Sequence, residues 1–180
     1  MIRIGAGKHK GLFLKVPQSK NTRPTMDKVR QAIFSAIKDK SVNAVVLDLF
    51  AGSGSMGIEA LSRGAKKCYF IDRDRNTFKT LKENVLSLKE PEDKFALFLT
   101  DYRLFLKKSR GVRFDLVFLD PPYRFTIDAD IIRYLMENEM LEEGAVIVSE
   151  QDYPNESIDG LSMKEYRYGQ KHVAIYKKED

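Results

Sequence analysis

From Ala44 onward, short runs of β-branched and aromatic residues alternate with stretches whose apolar residues recur every three or four positions, as in a chain that lays down strand and helix in turn. The runs are 44–49, 67–72, 95–99, 114–119 and 145–149; helices are predicted near 56–63, 74–88, 102–109 and 128–139. The runs are apolar at nearly every position, so they are expected to be parallel strands buried on both faces. The end of the chain differs. Residues 162–168 and 172–177 flank Gly169-Gln170 and predict a tight hairpin that closes the sheet antiparallel. The expected fold is α/β, a Rossmann-like and mostly parallel sheet with helices on both faces.

Residues 1–40 form a separate piece. Ile2 to Ile4 and Leu12 to Val16 predict a basic hairpin around the Gly5 to Gly11 stretch, and Pro17 to Pro24 reads as a connector. A helix should follow, with Thr25 as its N-cap, Asp27 in its first turn and Val29, Ile33, Phe34 and Ile37 as its apolar stripe. Two units are therefore expected: 1–40, a hairpin and helix extension packed on the core, and 41–180, the main α/β domain.

With 180 residues, 43% hydrophobic and 32% charged, the chain fits a compact domain and excludes a disordered one. The lack of a long uncharged apolar run predicts no membrane span, and the polar start predicts no secretory signal, so a cytoplasmic protein is expected. A single cysteine, Cys68, excludes an internal disulfide and reads as core; His9 and His172 lie too far apart to suggest a metal cluster. Charge placement says more than the net +5: residues 1–40 hold ten Lys/Arg against Asp27 and Asp39, a balance of +8 that leaves −3 on the other 140 residues. A cationic arm on a mildly acidic body is the expected footprint of phosphate binding, with His9, between Lys8 and Lys10, as a contact to phosphate or water.

The first long strand runs into Asp48-Leu49-Phe50-Ala51-Gly52-Ser53-Gly54-Ser55-Met56-Gly57, which matches G-x-G-x-x-G between strand and helix. Asp72 closes the next strand, where a carboxylate accepts both hydrogen bonds of a ribose diol. The spacing alone suits a dinucleotide or S-adenosylmethionine. Asp48 separates them, since a carboxylate there repels a pyrophosphate and attracts an ammonium and a sulfonium. Asp101, after the third strand of the series, has two readings: acceptor from an adenine amino group, or N-cap of the helix that follows.

The fourth strand ends in Asp120-Pro121-Pro122-Tyr123. An amino group on an aromatic ring is a poor nucleophile because its lone pair is conjugated. A carboxylate (Asp120) and a carbonyl (Pro121) that accept its two N–H bonds favour a pyramidal nitrogen, two prolines hold those acceptors in place, and Tyr123 offers a face for an unstacked base. With no histidine or cysteine at this edge, acid–base hydrolysis and thiol catalysis have no candidate residue.

The glycine loop followed later by Asp120-Pro121-Pro122-Tyr123 resembles the class I S-adenosylmethionine-dependent amino-methyltransferases, in their unpermuted order. The segment Arg23-Pro24-Thr25-Met26-Asp27-Lys28-Val29-Arg30-Gln31-Ala32-Ile33-Phe34 and the stretch from Gly52 to Ala65 are similar to the RsmD family, which methylates N2 of a guanine (position 966) in 16S ribosomal RNA. The resemblance covers essentially the whole chain. It implies a seven-stranded sheet, S-adenosyl-L-methionine as cofactor, 16S rRNA in the small subunit or an assembly intermediate as partner, and a monomer without metal or membrane. It also implies Asp48, Phe50, Ala51, Gly52, Gly54, Asp72, Arg73, Asp101 and Tyr102 around the cofactor, and Asp120, Pro121, Pro122 and Tyr123 as the catalytic loop. Lys8, His9, Lys10, Arg23, Thr25 and Arg30 would face RNA. The family often carries Glu and then a second acid after the second strand; here the acids are Asp72 and Asp74, so either is open as the ribose ligand.

A DNA adenine or cytosine amino-methyltransferase also suits Asp-Pro-Pro-Tyr, but reading base edges normally needs a further recognition region, and only about 40 residues lie outside the catalytic sheet. A structured RNA presents its own shape. A noncatalytic RNA-binding module accounts for the basic end but not for carboxylates spaced around a glycine loop.

Overall fold

The computed structural model describes residues 1–18, 24–122 and 127–179, with the backbone alone for Pro24 and Thr25. Two short antiparallel strands, β1 (Ile2–Arg3) and β2 (Phe13–Leu14), are followed by helix α1 (Pro24–Ile37). Then come β3 (Val45–Asp48), α2 (Ser55–Ser62), β4 (Lys67–Asp72), α3 (Arg75–Ser87), β5 (Phe95–Leu99), α4 (Tyr102–Lys108) and β6 (Phe114–Leu119). Helix α5 (Asp128–Glu137) and strands β7 (Leu141–Gln151), β8 (Leu161–Tyr168) and β9 (Lys171–Lys178) complete the chain. The large sheet has seven strands in the order β5-β4-β3-β6-β7-β9-β8; the first five are parallel and β9 runs antiparallel between β7 and β8. Chain order reverses between β3 and β6, which makes their carboxyl ends the switch point where α/β folds bind ligands.

Successive residues of a strand point to opposite faces, and both faces are covered. Val46 and Leu116 join one apolar cluster with Ile58, Phe70 and Leu81, while Leu47 and Val117 join the other with Ile71, Ile132 and Ile147. Cys68 lies in the first cluster, fully buried. The expectation that every strand is buried on both faces fails at β5. It is the sheet's edge, and Phe98 and Leu99 are 38% and 44% exposed. Helix α1 begins two residues earlier than a Thr25 N-cap implies, at Pro24, whose fixed φ suits a first helical position. Thr25 therefore lies inside the first turn and is not the N-cap.

The N-terminal extension packs on the sheet: Ile2, Ile4, Leu14, Ile33 and Phe34 belong to the same cluster as Val46 and Phe70. It is fastened by Glu59, a fully buried acid of the otherwise apolar α2. The carboxylate accepts the backbone N–H groups of Gly5 (2.8 Å) and Ala6 (3.2 Å), the Gln31 amide (3.0 Å) and the Arg63 guanidinium (3.0 Å). Gly7 fits because it has no side chain: its φ is +85° and a Cβ there would lie 1.9 Å from the Ser62 carbonyl oxygen. Among the described residues, no helix is long and apolar enough to cross a membrane.

Candidate active site

The loop from β3 into α2 turns sharply. Gly52 and Gly54 have φ of +57° and +85°, conformations that residues with a side chain rarely adopt. Gly57 meets a different demand, because a Cβ there would stand 2.4 Å from the Phe70 ring and 2.6 Å from Cys68 Sγ; it lets α2 lie close against β4. Two strand-end acids hold this loop: Asp48 Oδ2 accepts the Gly57 N–H at 3.0 Å, and Asp72 Oδ2 accepts the Gly52 N–H at 2.9 Å. Asn84 of α3, which the sequence reading did not single out, donates to the Ser53 carbonyl at 2.8 Å and exchanges hydrogen bonds with the Lys15 backbone, so one buried amide links the loop to the N-terminal extension.

Three hollows meet at this edge. A cleft of about 250 Å³ is lined by Asp72, Arg73, Asp74, Thr100 and Tyr102, with Phe50, Asp120 and Pro122 closing it. The Phe50 and Tyr102 rings pack with their centroids 5.2 Å apart. A smaller cleft of about 90 Å³ is lined by Asp48, Ala51, Gly52 and Ser53, and it too reaches Phe50 and Asp120. A third chamber of about 710 Å³ lies between α1 and the β8–β9 turn; Met26, Arg30, Asp120, Glu150, Tyr168 and Lys171 line it. Asp120 borders all three.

The structure therefore brings Asp48, Phe50, Ala51, Gly52, Asp72, Arg73, Tyr102, Asp120 and Pro122 together, and Gly54 shapes the loop beneath. Asp101 stands apart: it does not line the cleft, where Thr100 and Tyr102 form the wall, and its Oδ1 caps α4 by accepting the Arg103 N–H at 2.8 Å. Asp74 caps α3, accepting the Thr77 N–H at 2.7 Å. That bond holds its carboxyl below the usual range. Tyr123 and Arg23 lie outside the described residues, as does the Thr25 side chain.

The edge beyond Asp120 is acidic. Burial, and then the Asp120 charge, push Glu150 up to about 8. Burial likewise lifts Asp128 to about 7 against the hydrogen bond from Ser149. Neither residue was singled out in the sequence. Register is the signal that reveals Glu150: Leu119 pairs with Ser149, so the residue after each strand partner shares the edge.

The basic end is more neutralised than its composition suggests. Lys8 Nζ and His9 Nε2 both reach Glu90, at 3.1 and 2.7 Å. Arg30 is only 5% exposed; it pairs with Asp27 at 2.8 Å and donates to the Arg3 carbonyl. It braces the hairpin from within. Lys10 and Arg3 are exposed.

Strand order, glycine loop and acid-lined switch point define a class I methyltransferase fold. A family model described as conserved hypothetical protein 95 matches residues 2–177. The chain is 38% identical to ribosomal RNA small subunit methyltransferase D of Haemophilus influenzae, over 85% of this chain and 81% of that one. It is 36% identical to the protein of the same name from Escherichia coli K12, over 86% and 76%. The solved structure of yhhF from Escherichia coli superposes with a TM-score of 0.87 at 32% identity, covering 99% of this chain and 98% of that one. SMU.776, solved in complex with SAH, shares the fold alone, with a TM-score of 0.68 at 14% identity over 87% of this chain and 50% of that one. The chain belongs to the RsmD family, that of ribosomal RNA small subunit methyltransferase D.

Proposed function

We propose that the protein methylates the exocyclic N2 amine of a guanine in 16S ribosomal RNA, guanine 966 by family resemblance, within the small subunit or an assembly intermediate, with S-adenosylmethionine as methyl donor. The observation that carries the reading is Asp120, which follows β6 and lines the clefts of the glycine loop on one side and the chamber beside α1 on the other.

The residues present fit the cofactor. Asp72 uses one lone pair of each oxygen, for the N–H groups of Gly52 (2.9 Å) and Asp74 (3.0 Å), and an ionised carboxylate has about four acceptor positions, so capacity for a ribose diol remains. Phe50 and Tyr102 supply flat apolar walls for a base, and the buried Asp48 sets a negative field suited to a cationic ligand and hostile to a pyrophosphate. When bound, the cofactor supplies an electrophilic methyl group on a sulfonium.

The chain's own residues then prepare the acceptor. Asp120 accepts an N–H of the guanine amine, favours its pyramidal form and stabilises the positive charge that develops on nitrogen. The Pro121 carbonyl is the second acceptor, and Tyr123 is the expected stacking partner of the extruded base. The RNA reading is supported by the exposed cations of the N-terminal hairpin and by the names of the relatives. Asp120→Ala should lower single-turnover methylation of the small subunit by about 100-fold or more, the scale of losing one preorganised electrostatic partner. A variant that keeps the wild-type rate, or a product other than N2-methylguanine by mass spectrometry, contradicts the proposal.

A further inference from the structure

The acidic strand edge ends on a cation. Lys171 opens β9 immediately after the turn at 169–170, and its Nζ lies 3.7 Å from Asp120 Oδ1 and 3.4 Å from Asp152 Oδ1. Sheet register puts it there. Strand β9 is antiparallel to β7, with Glu150 opposite Val173 and Gln151 opposite His172, so the first residue of β9 reaches the edge where β3, β6 and β7 deliver their carboxylates.

We propose that Lys171 is a positioning residue for Asp120, bridging it to Asp152 so that the carboxylate stays ionised and aimed at the amine to be methylated; the inference rests on Asp120 being the acceptor of that amine. The need for a cation follows from the neighbours. Asp48 of β3, Glu150 of β7 and Asp128 at the start of α5 all bring acids toward Asp120. Across the first cleft stand Asp72 and Asp74 with Arg73; across the chamber α1 offers Asp27 and Arg30, and Arg30 is engaged with Asp27 and Glu59. Burial and the Asp120 charge leave Glu150 and Asp128 holding their own protons toward neutral pH, so the ionised acids beside Asp120 are chiefly Asp48 and Asp152, and a charge-assisted acceptor between them keeps its aim best with a cation at its side. Lys171 supplies that cation from 3.7 Å. Burial alone would weaken its own hold on a proton, but Asp120 and Asp152 outweigh that and keep the ammonium charged above its ordinary range. The bridge also gives the chamber wall a catalytic consequence, because Tyr168, Gly169 and Gln170 of the same turn line the chamber.

The test is the pH dependence of single-turnover methylation of unmethylated small subunits by wild type, Lys171→Met, Lys171→Arg and Asp152→Asn, with S-adenosylmethionine affinity measured by calorimetry. Lys171→Met is expected to lower the plateau rate about tenfold and move the acid limb about half a unit to higher pH, the scale of an exposed ion pair, with cofactor affinity within about twofold. Lys171→Arg should restore most of the rate. Asp152→Asn should move the limb the opposite way, because the ammonium is then shared less and one negative charge is gone; opposite shifts from two neighbours of Asp120 are not the mark of a merely structural contact. Asp152 has a largely exposed side chain, so its variant is expected to fold even should Lys171→Met unfold. An active wild type with an unmoved limb in Lys171→Met or in Asp152→Asn, or Lys171→Arg no better than Lys171→Met, overturns the inference alone. A wild type that methylates no guanine N2 overturns the underlying reading and this one with it.

Discussion

At the scale of single residues, the acids of the strand edge divide by what their oxygens already hold. Asp72 and Asp74 are two positions apart and indistinguishable by residue type, yet Asp74 is the N-cap of α3 while Asp72 turns one oxygen to the Gly52 N–H of the glycine loop and the other to the Asp74 N–H. Asp101 is likewise a cap, which is one of the two readings the sequence left open. We therefore propose Asp72 as the ribose ligand. Asp72→Asn should weaken S-adenosylmethionine binding by about 1 to 3 kcal/mol, roughly 5- to 150-fold, because a charged acceptor is lost and the Gly52 turn loosens with it. Asp74→Asn should leave affinity within about twofold, since Asn also caps helices well. Titration calorimetry on the two variants decides the assignment, and equal losses would refute it.

At the scale of elements, the apolar pattern foretold most of the sheet because burial on two faces leaves strands with little choice of residue. It misjudged β5, since edge position is a property of the neighbours and not of Phe95 to Leu99. Helix α1 was legible as a helix, but the sequence does not show what holds it and the hairpin: Glu59 meets Gly5 from 54 positions away. The available hint was an acid in the middle of an apolar helix, Ser55-Met56-Gly57-Ile58-Glu59-Ala60-Leu61. Burial alone would raise the Glu59 carboxyl, but the Gly5 N–H, Gln31 and Arg63 outweigh it and hold the group below its ordinary 4.5. Its stabilisation is therefore fully present above pH 4.5 and fades as pH falls through the lower folded value. Glu59→Ala should cost about 3 to 5 kcal/mol, the scale of leaving buried partners uncompensated. Glu59→Gln should cost less and flatten the acid end of the stability curve. Urea melts across the acid range give both numbers, and an acid-limb slope unchanged by Glu59→Gln would exclude this carboxyl as its source.

At the scale of the whole molecule, charge and fold have to be read together. The sequence placed the glycine loop and Asp120 at one sheet edge correctly because strand order follows from alternating elements and both motifs end strands. Lys171 escaped notice because its nearness to Asp120 depends on β9 inserting between β7 and β8, and Glu150 because its nearness depends on the register of β7 on β6, neither of which a local signal records. The basic end was overcounted for a similar reason. Lys8 and His9 share Glu90, Lys15 pairs with Glu83 at 3.1 Å, and Arg30 is spent inside, so fewer charges face outward than the +8 of residues 1–40 suggests. The Lys8 ammonium stands in solvent while Glu90 is largely covered, so Lys8 can swing from that carboxylate to a phosphate, whereas Arg30 is held in its buried pairs. Neutralising Lys8, Lys10 and Arg23 together should therefore flatten the dependence of log RNA affinity on log salt by about 2, near 0.7 per lost phosphate contact on single-stranded RNA, with S-adenosylmethionine affinity unchanged. Arg30→Ala should instead lower the melting temperature and leave the salt slope of the folded fraction as it was. Filter binding of a 16S RNA fragment over a salt series separates the two. A triple variant with the wild-type slope would make the basic end a solubilising surface, and a flattened slope in Arg30→Ala would mean that the hairpin must stay docked on α2 for its lysines to reach phosphate at all.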